Sequence, residues 1–224
     1  SNSIVYHRIL QMYYVLNREN DDLLNMKMEE MTHGGRPLLL KHFGVKRAFL
    51  LSHDDSANGG HGNGFIDLYQ PAIDLFIRFN LESNVPLEKL YCLRDCITEI
   101  TNCVNRYYAS QKSDNGSEVN AMSLELGADD LLPLFSYVMV KVQPSFLFSK
   151  FNFVVDFVDQ SLLLGELGYS LATLETAMTY MLSCDLVTNQ QQQRWLWRFI
   201  KHRELFPSYY ATSHAYGAND ENIF

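Results

Sequence analysis

Three groups of side chains in this 224-residue chain have types and spacings that suit chemistry. The first is the carboxylate pair Asp129 and Asp130, which opens an apolar run and is followed by Pro133. Read from the residues alone, such a pair can cap a helix, because a side-chain oxygen accepts from the free N–H groups of a first turn. The second is the doublet His53–Asp54, with His33 and His42 upstream. A His–Asp doublet suits a metal phosphohydrolase when packed helices fix it around the ion. This doublet instead runs into SHDDSANGGHGNG, residues 52–64, which reads as an exposed loop. Its glycines lack the Walker spacing of a phosphate cradle, and no clear strand precedes them. The third group is the thiols Cys92, Cys96, Cys103 and Cys184. Three of them fall in one helical segment, where disulfides fit poorly, and no CxxC pair exists for zinc. Reduced, buried thiols are the expectation.

Composition narrows the partners. The formal net charge is −8, which does not suit a nucleic-acid binder that must neutralise phosphates. It also argues against docking of the whole surface on an anionic membrane. A hydrophobic fraction of 47% and an aromatic fraction of 13% imply a packed core. No signal peptide is legible. The longest apolar run, Leu131 to Val142, is short of the ~20 residues that span a bilayer. The chain starts at Ser1 without a Met and is expected to be a piece of a longer protein.

The elements that must position these groups read as helices throughout. Ile4, Val5, Ile9, Met12, Tyr13 and Leu16 recur at helical spacing. A second helix starts at Asp21 or Asp22 as its cap and buries Leu24, Met28 and Met31; Gly34, Gly35 and Pro37 end it. Phe65 to Phe79 is helical, with Phe65, Leu68, Tyr69, Ala72, Ile73 and Phe76 on one face, and Pro71 either kinks it or marks its true start. Pro86 opens the clearest helix, where Leu90, Leu93, Ile97, Ile100, Val104 and Tyr107 step by three and four. The polar segment from Ser110 to Glu118 reads as a second loop. Leu131 to Val142 is apolar all round and reads as a buried helix. Leu171 to Met181 and Gln190 to Leu205 complete the set. The expected fold class is all-α, a helical bundle packed against a layered helical core. Residues 1–85 form the N-terminal bundle, 86–206 the core with a C-terminal helix, and 207–224 an irregular tail.

Three stretches carry a family resemblance: PLEKLYCLRDCITEI (86–100), GADDLLPLFSYVMVKVQP (127–144) and GELGYSLATLETAMTYM (165–181). In order and spacing they resemble the Vps-nine (vacuolar protein sorting nine) domain. More loosely, Asp22 to Met31 and His42 to Val45 resemble its opening. The resemblance implies an all-helical module that catalyses guanine nucleotide exchange without a cofactor, mostly on Rab-five-subfamily small GTPases. It implies a cytoplasmic protein recruited to early endosomal membranes. It further implies that Asp129 approaches the GTPase phosphate site. Asp130, Pro133, Tyr169, Ala172 and Thr173 would lie at the GTPase-binding face. No metal site is implied. Pro133 requires the helix to begin near Asp129 or Asp130, which puts Asp129 at an exposed end. One departure stands out. The family has a Thr three residues after the first Tyr of this motif, and here that position is Ala172. Thr173 is rotated about 100° away on a helix.

Two competing readings follow from these residues. The departure at Ala172 fits a Rab-binding scaffold without exchange activity, and the His53–Asp54 doublet fits the phosphohydrolase. The last helix carries Arg194, Arg198, Lys201 and His202 beside Trp195, Phe199 and Ile200. Such a helix can dock on its own core or touch membrane weakly.

Overall fold

The structure, a computed structural model, describes residues 2–32, 35–50, 67–114 and 126–183. Among them every regular element is helical: α1 (Asn2–Leu16), α2 (Arg18–Thr32), α3 (Gly35–His42), α4 (Gln70–Leu81), α5 (Pro86–Asp114), α6 (Ala128–Val142), α7 (Leu147–Phe157) and α8 (Glu166–Ser183). Short 3-10 turns span Arg47–Phe49 and Gln160–Leu163. The chain is all-α, as its periodicities predict. The loop 52–64 with His53 and Asp54, the helix Gln190–Leu205, the tail, Phe65, His33 and Cys184 lie outside the described residues.

Helix α5 is the centre of the packing and touches α4, α6, α7 and α8. Its apolar stripe explains why: Leu90, Leu93, Cys96, Ile97, Ile100, Cys103 and Val104 are all buried. Pro86 is its first residue, where the missing N–H costs nothing. Pro71 likewise marks the start of α4 rather than a kink. On the other side, α2 buries Leu23, Leu24, Met28 and Met31 and packs on α6, α7 and α8. The thiols of Cys92, Cys96 and Cys103 are free, as expected.

Several expectations need correction. Helix α1 forms, but Ile4, Val5, Met12 and Leu16 are exposed. It packs instead through Leu10, which is buried, and through Tyr6 and Tyr13, whose rings lie edge-on to Phe153 at 6.0 and 5.7 Å. The aromatic side offers more area to the aromatic face of α7. Helix α2 ends at Thr32, just before the glycines and Pro37 as expected, but a further helix follows at once, with Pro37 in the first turn of α3, where a proline is tolerated. Helix α5 continues through Ser110 to Asp114, and Ser110 Oγ donates to Tyr107 O within it (2.7 Å). Helix α8 begins at Glu166, ahead of Leu171. Helix α7 has no counterpart among the expected elements.

Asp21 is the sharpest correction. It does not cap α2, which begins at Arg18. It is buried at 1% exposure and caps α7 from another helix. Its Oδ1 accepts from the amides of Phe148 (2.9 Å) and Ser149 (3.2 Å), and its Oδ2 accepts from Ser149 Oγ. The N-cap residue of α7, Phe146, is in the left-handed region at φ 55° and provides no side-chain cap, so these amides depend on Asp21. Burial raises the Asp21 pKa, while the bonds from Ser149 and Phe148 and the nearby Lys150 act against that rise.

Two buried lysines lie close by. Lys150 Nζ donates to Asn80 Oδ1 and to Ser145 O, and Lys89 Nζ donates to Phe79 O at 2.8 Å. Burial pulls the Lys150 ammonium down to about 7 and that of Lys89 down to about 8.

The start of α8 depends on two glycines. Gly165 has φ +101°, a conformation that side chains resist. Gly168 meets the preceding turn so closely that a Cβ there would stand 1.9 Å from Leu163 O. The spacing of the two glycines in GELG thus sets the angle at which α8 leaves its turn.

Three outcomes are expected. Replacing Asp21 by Ala strips the cap from two buried amides and should cost about 2–4 kcal/mol in chemical denaturation; a loss under about 0.5 kcal/mol would contradict this cap. Gly168→Ala should lower the thermal midpoint by roughly 5–15 °C, since backbone must move; a midpoint equal to that of the parent would show that the turn yields freely. The third outcome concerns pH. The ordinary lysine value is 10.5, against about 7 for folded Lys150. Between these values the unfolded chain holds a proton that the folded chain has released, so stability rises with pH. Lys150→Met should flatten the rise of the thermal midpoint between pH 7 and 9, and an unchanged slope would remove Lys150 as its source.

Candidate functional site

The candidate residues sit on two helices that pack directly against each other, α6 and α8. Helix α6 is held in place by burying Leu131, Leu134, Phe135, Tyr137, Val138, Met139 and Val140. Its first turn emerges, as does Lys141 at its far end. Gly127 is the N-cap, with φ −67° and ψ 164° and no side-chain cap bond. The amides of Asp130 and Leu131 both bond to Gly127 O at 3.0 Å. Neither aspartate therefore caps the helix, although both lie in its first turn, where the helix dipole favours negative charge.

The two carboxylates have different surroundings. Asp129 is exposed. Among the described residues it has no ion-pair or hydrogen-bond partner. Asp130 has a side chain only 14% exposed, and its Oδ1 stands 2.7 Å from Lys46 Nζ. That enclosed oxygen has no aligned hydrogen bond, so the ammonium is its charge partner. Pro133, half-buried, lies in the second turn rather than the first, because α6 starts at Ala128. Having no N–H, it leaves the carbonyl of Asp129 without the usual helical donor.

On α8 the solvent face carries Tyr169, Thr176 and Tyr180, with the half-buried Ala172 between them. These residues step by three and four and form one stripe. Tyr169 is 39% exposed, and burial of the rest pushes its phenol pKa up. Thr173 is buried at 8% exposure, and its hydroxyl donates to Tyr169 O at 2.8 Å. That hydroxyl is turned to its own helix. Thr176 is exposed and donates to Ala172 O at 2.8 Å. It lies one turn beyond Ala172 on the same stripe. At the far end of the stripe, the ring of Tyr180 lies 6.1 Å from Phe43 and 6.5 Å from His42. Lys46 has no sequence signal, since its partner Asp130 is remote along the chain.

Among the described residues, no three His, Cys, Asp or Glu side chains gather into a metal-binding group. None of the described helices alone is long and apolar enough to cross a membrane.

Residues 69–186 match the Vacuolar sorting protein 9 (VPS9) domain, a span that begins at α4 and ends just after α8 and so holds every candidate residue. The chain is also similar to the human (Homo sapiens) VPS9 domain-containing protein 1, at 26% identity over 174 residues. That similarity covers 77% of this chain but only 26% of the relative's length. VPS9 domains are associated with nucleotide exchange on small GTPases. With the family match extending over more than half of the chain, from Tyr69 to the residues after α8, this protein belongs to the VPS9 domain family.

Proposed function

We propose that the chain accelerates GDP release from a small GTPase of the endosomal Rab-five subfamily, with Asp129 as the catalytic carboxylate. A GTPase grips its nucleotide through Mg²⁺ and a phosphate-binding lysine. A carboxylate introduced there pairs with the lysine and repels the β-phosphate and its oxygens. The metal is held less firmly, and the nucleotide leaves faster. The observation behind this reading is the unpaired, exposed Asp129 in the first turn of a helix whose remainder is locked in the core. Tyr169 offers rigid area and a hydroxyl, as interface anchors do, with Pro133 and Ala172 as neighbouring contacts on the two helices. Such a chain would act from the cytoplasm at early endosomal membranes, where the GTPase is anchored.

A second reading is favoured by one observation: Ala172 carries no hydroxyl and that of Thr173 is turned to Tyr169 O. The same face would then bind a Rab without catalysing release.

Release of fluorescent GDP across a panel of Rab proteins separates the two. Acceleration on at least one Rab-five-type protein is expected. Asp129→Ala should slow it by roughly 10–150-fold, the equivalent of one charge-assisted contact at about 1.5–3 kcal/mol. Saturable binding with no faster release would select the scaffold. Equal rates for the Asp129→Ala chain would remove the assigned role.

A further inference from the structure

Lys46 reaches Asp130 from a segment pinned on both sides. Before it, Phe43 is buried at 6% exposure, Gly44 turns the chain at φ +69°, and the amide of Val45 bonds to Leu40 O at 2.9 Å. After it, Phe49 is buried at 4% exposure. The hydroxyl of Tyr69 donates to Phe49 O at 2.7 Å, and that of Tyr108 donates to Ala48 O. The backbone of Lys46 is therefore fixed by α3, α4 and α5, while its side chain is 65% exposed and ends 2.7 Å from the carboxylate of Asp130.

We propose that Lys46 is a positioning residue for nucleotide exchange: it holds Asp130 back against the α3–α4 connection, so that Asp129 alone meets the phosphate-bearing pocket of the GTPase. The inference rests on the exchange reading above. It moves Asp130 from the partner-binding face to an internal pair. Adjacent helical residues point about 100° apart, so an ion pair can engage one aspartate and leave the other free. The consequence is electrostatic. Two aspartates and one lysine present a net single negative charge to a pocket that still contains phosphate. Without the ammonium the tip presents two, and like charges resist approach. Docking on the GDP-bound partner then weakens, while the step after docking, carried by Asp129, is little changed. The pair is partly exposed, so its loss should alter the fold little.

The test measures GDP release from a responsive GTPase against increasing concentration of this chain. Lys46→Met should raise the half-saturating concentration by roughly fivefold, about the most a partly exposed charge pair contributes. The maximal rate should stay within about twofold of the parent, and the difference should shrink at high salt as exposed charges are screened. Lys46→Arg should behave as the parent. Adding Asp130→Asn to Lys46→Met should bring half-saturation back towards the parent value, because the tip regains its single charge. An unchanged half-saturation in Lys46→Met overturns the proposal. So does a double variant no better than the single one, since lost packing would not be mended by removing a charge. A Lys46→Met chain melting more than about 5 °C below the parent also overturns it, by making Lys46 a structural contact. A parent chain that accelerates no GTPase sinks the exchange reading itself, a result separate from all of these.

Discussion

A carboxylate buried between helices decides how the N-terminal layer meets the rest of the molecule. Asp21 belongs to α2, ahead of the residues that match the family, yet the amides it caps open α7, inside that match. Burying a carboxylate costs several kcal/mol unless bonds offset the lost water. Here two amides and a hydroxyl do so, and Lys150 lies one residue further along α7. Removing α2 would leave the first turn of α7 with orphan donors in an apolar setting. The N-terminal helices are thus part of what folds the matched region, through a polar contact as well as through Leu24 and Met28, both at 0% exposure.

From that frame the site follows by exclusion. Once α2, α4 and α5 cover α6, and α2, α5 and α7 cover α8, what those helices still offer to solvent is the two ends of α6 and one stripe of α8. Small residues shape both edges. Gly127 begins α6 without a side chain of its own, and Gly168 lets α8 press on the carbonyl of Leu163. Asp129, two residues after Gly127, and Tyr169, next to Gly168, are both exposed.

How legible this was in the sequence depends on where each residue finds its partners. Helix α5 could be read outright, because its stripe from Leu90 to Val104 is buried on its own periodicity, and Pro71 and Pro86 marked true helix starts. The motifs around Asp129 and Tyr169 fall on α6 and α8, the two helices of the candidate site. Helix α7 was not legible. Its sequence LFSKFNFVVDF breaks the apolar pattern at Ser149 and Lys150, and both are buried only because Asp21, Asn80 and Ser145 receive their protons. Asp21 was misread for the same reason: a carboxylate near a helix start resembles a cap for that helix when its real partners are distant in the chain. In α1 the spacing correctly gave a helix, but spacing cannot say which face a neighbour will cover. The aromatic side won, and Ile4, Val5, Met12 and Leu16 are left exposed.

Pro133 draws these threads together. A proline within a helix removes one backbone bond and usually costs about 3 kcal/mol or more. In α6 the deprived carbonyl is that of Asp129, at an end where water can replace the missing donor, so the cost is reduced. Deeper in the helix, at Tyr137 or Val138, both at 0% exposure, the same change would orphan a carbonyl in the core. The position of the proline is therefore tolerable only near the tip. There the exposed carboxylate of Asp129 suits an incoming cationic group and repels an anionic one. Lys46 pairs with the neighbouring carboxylate, so the free negative charge at the tip is that of Asp129.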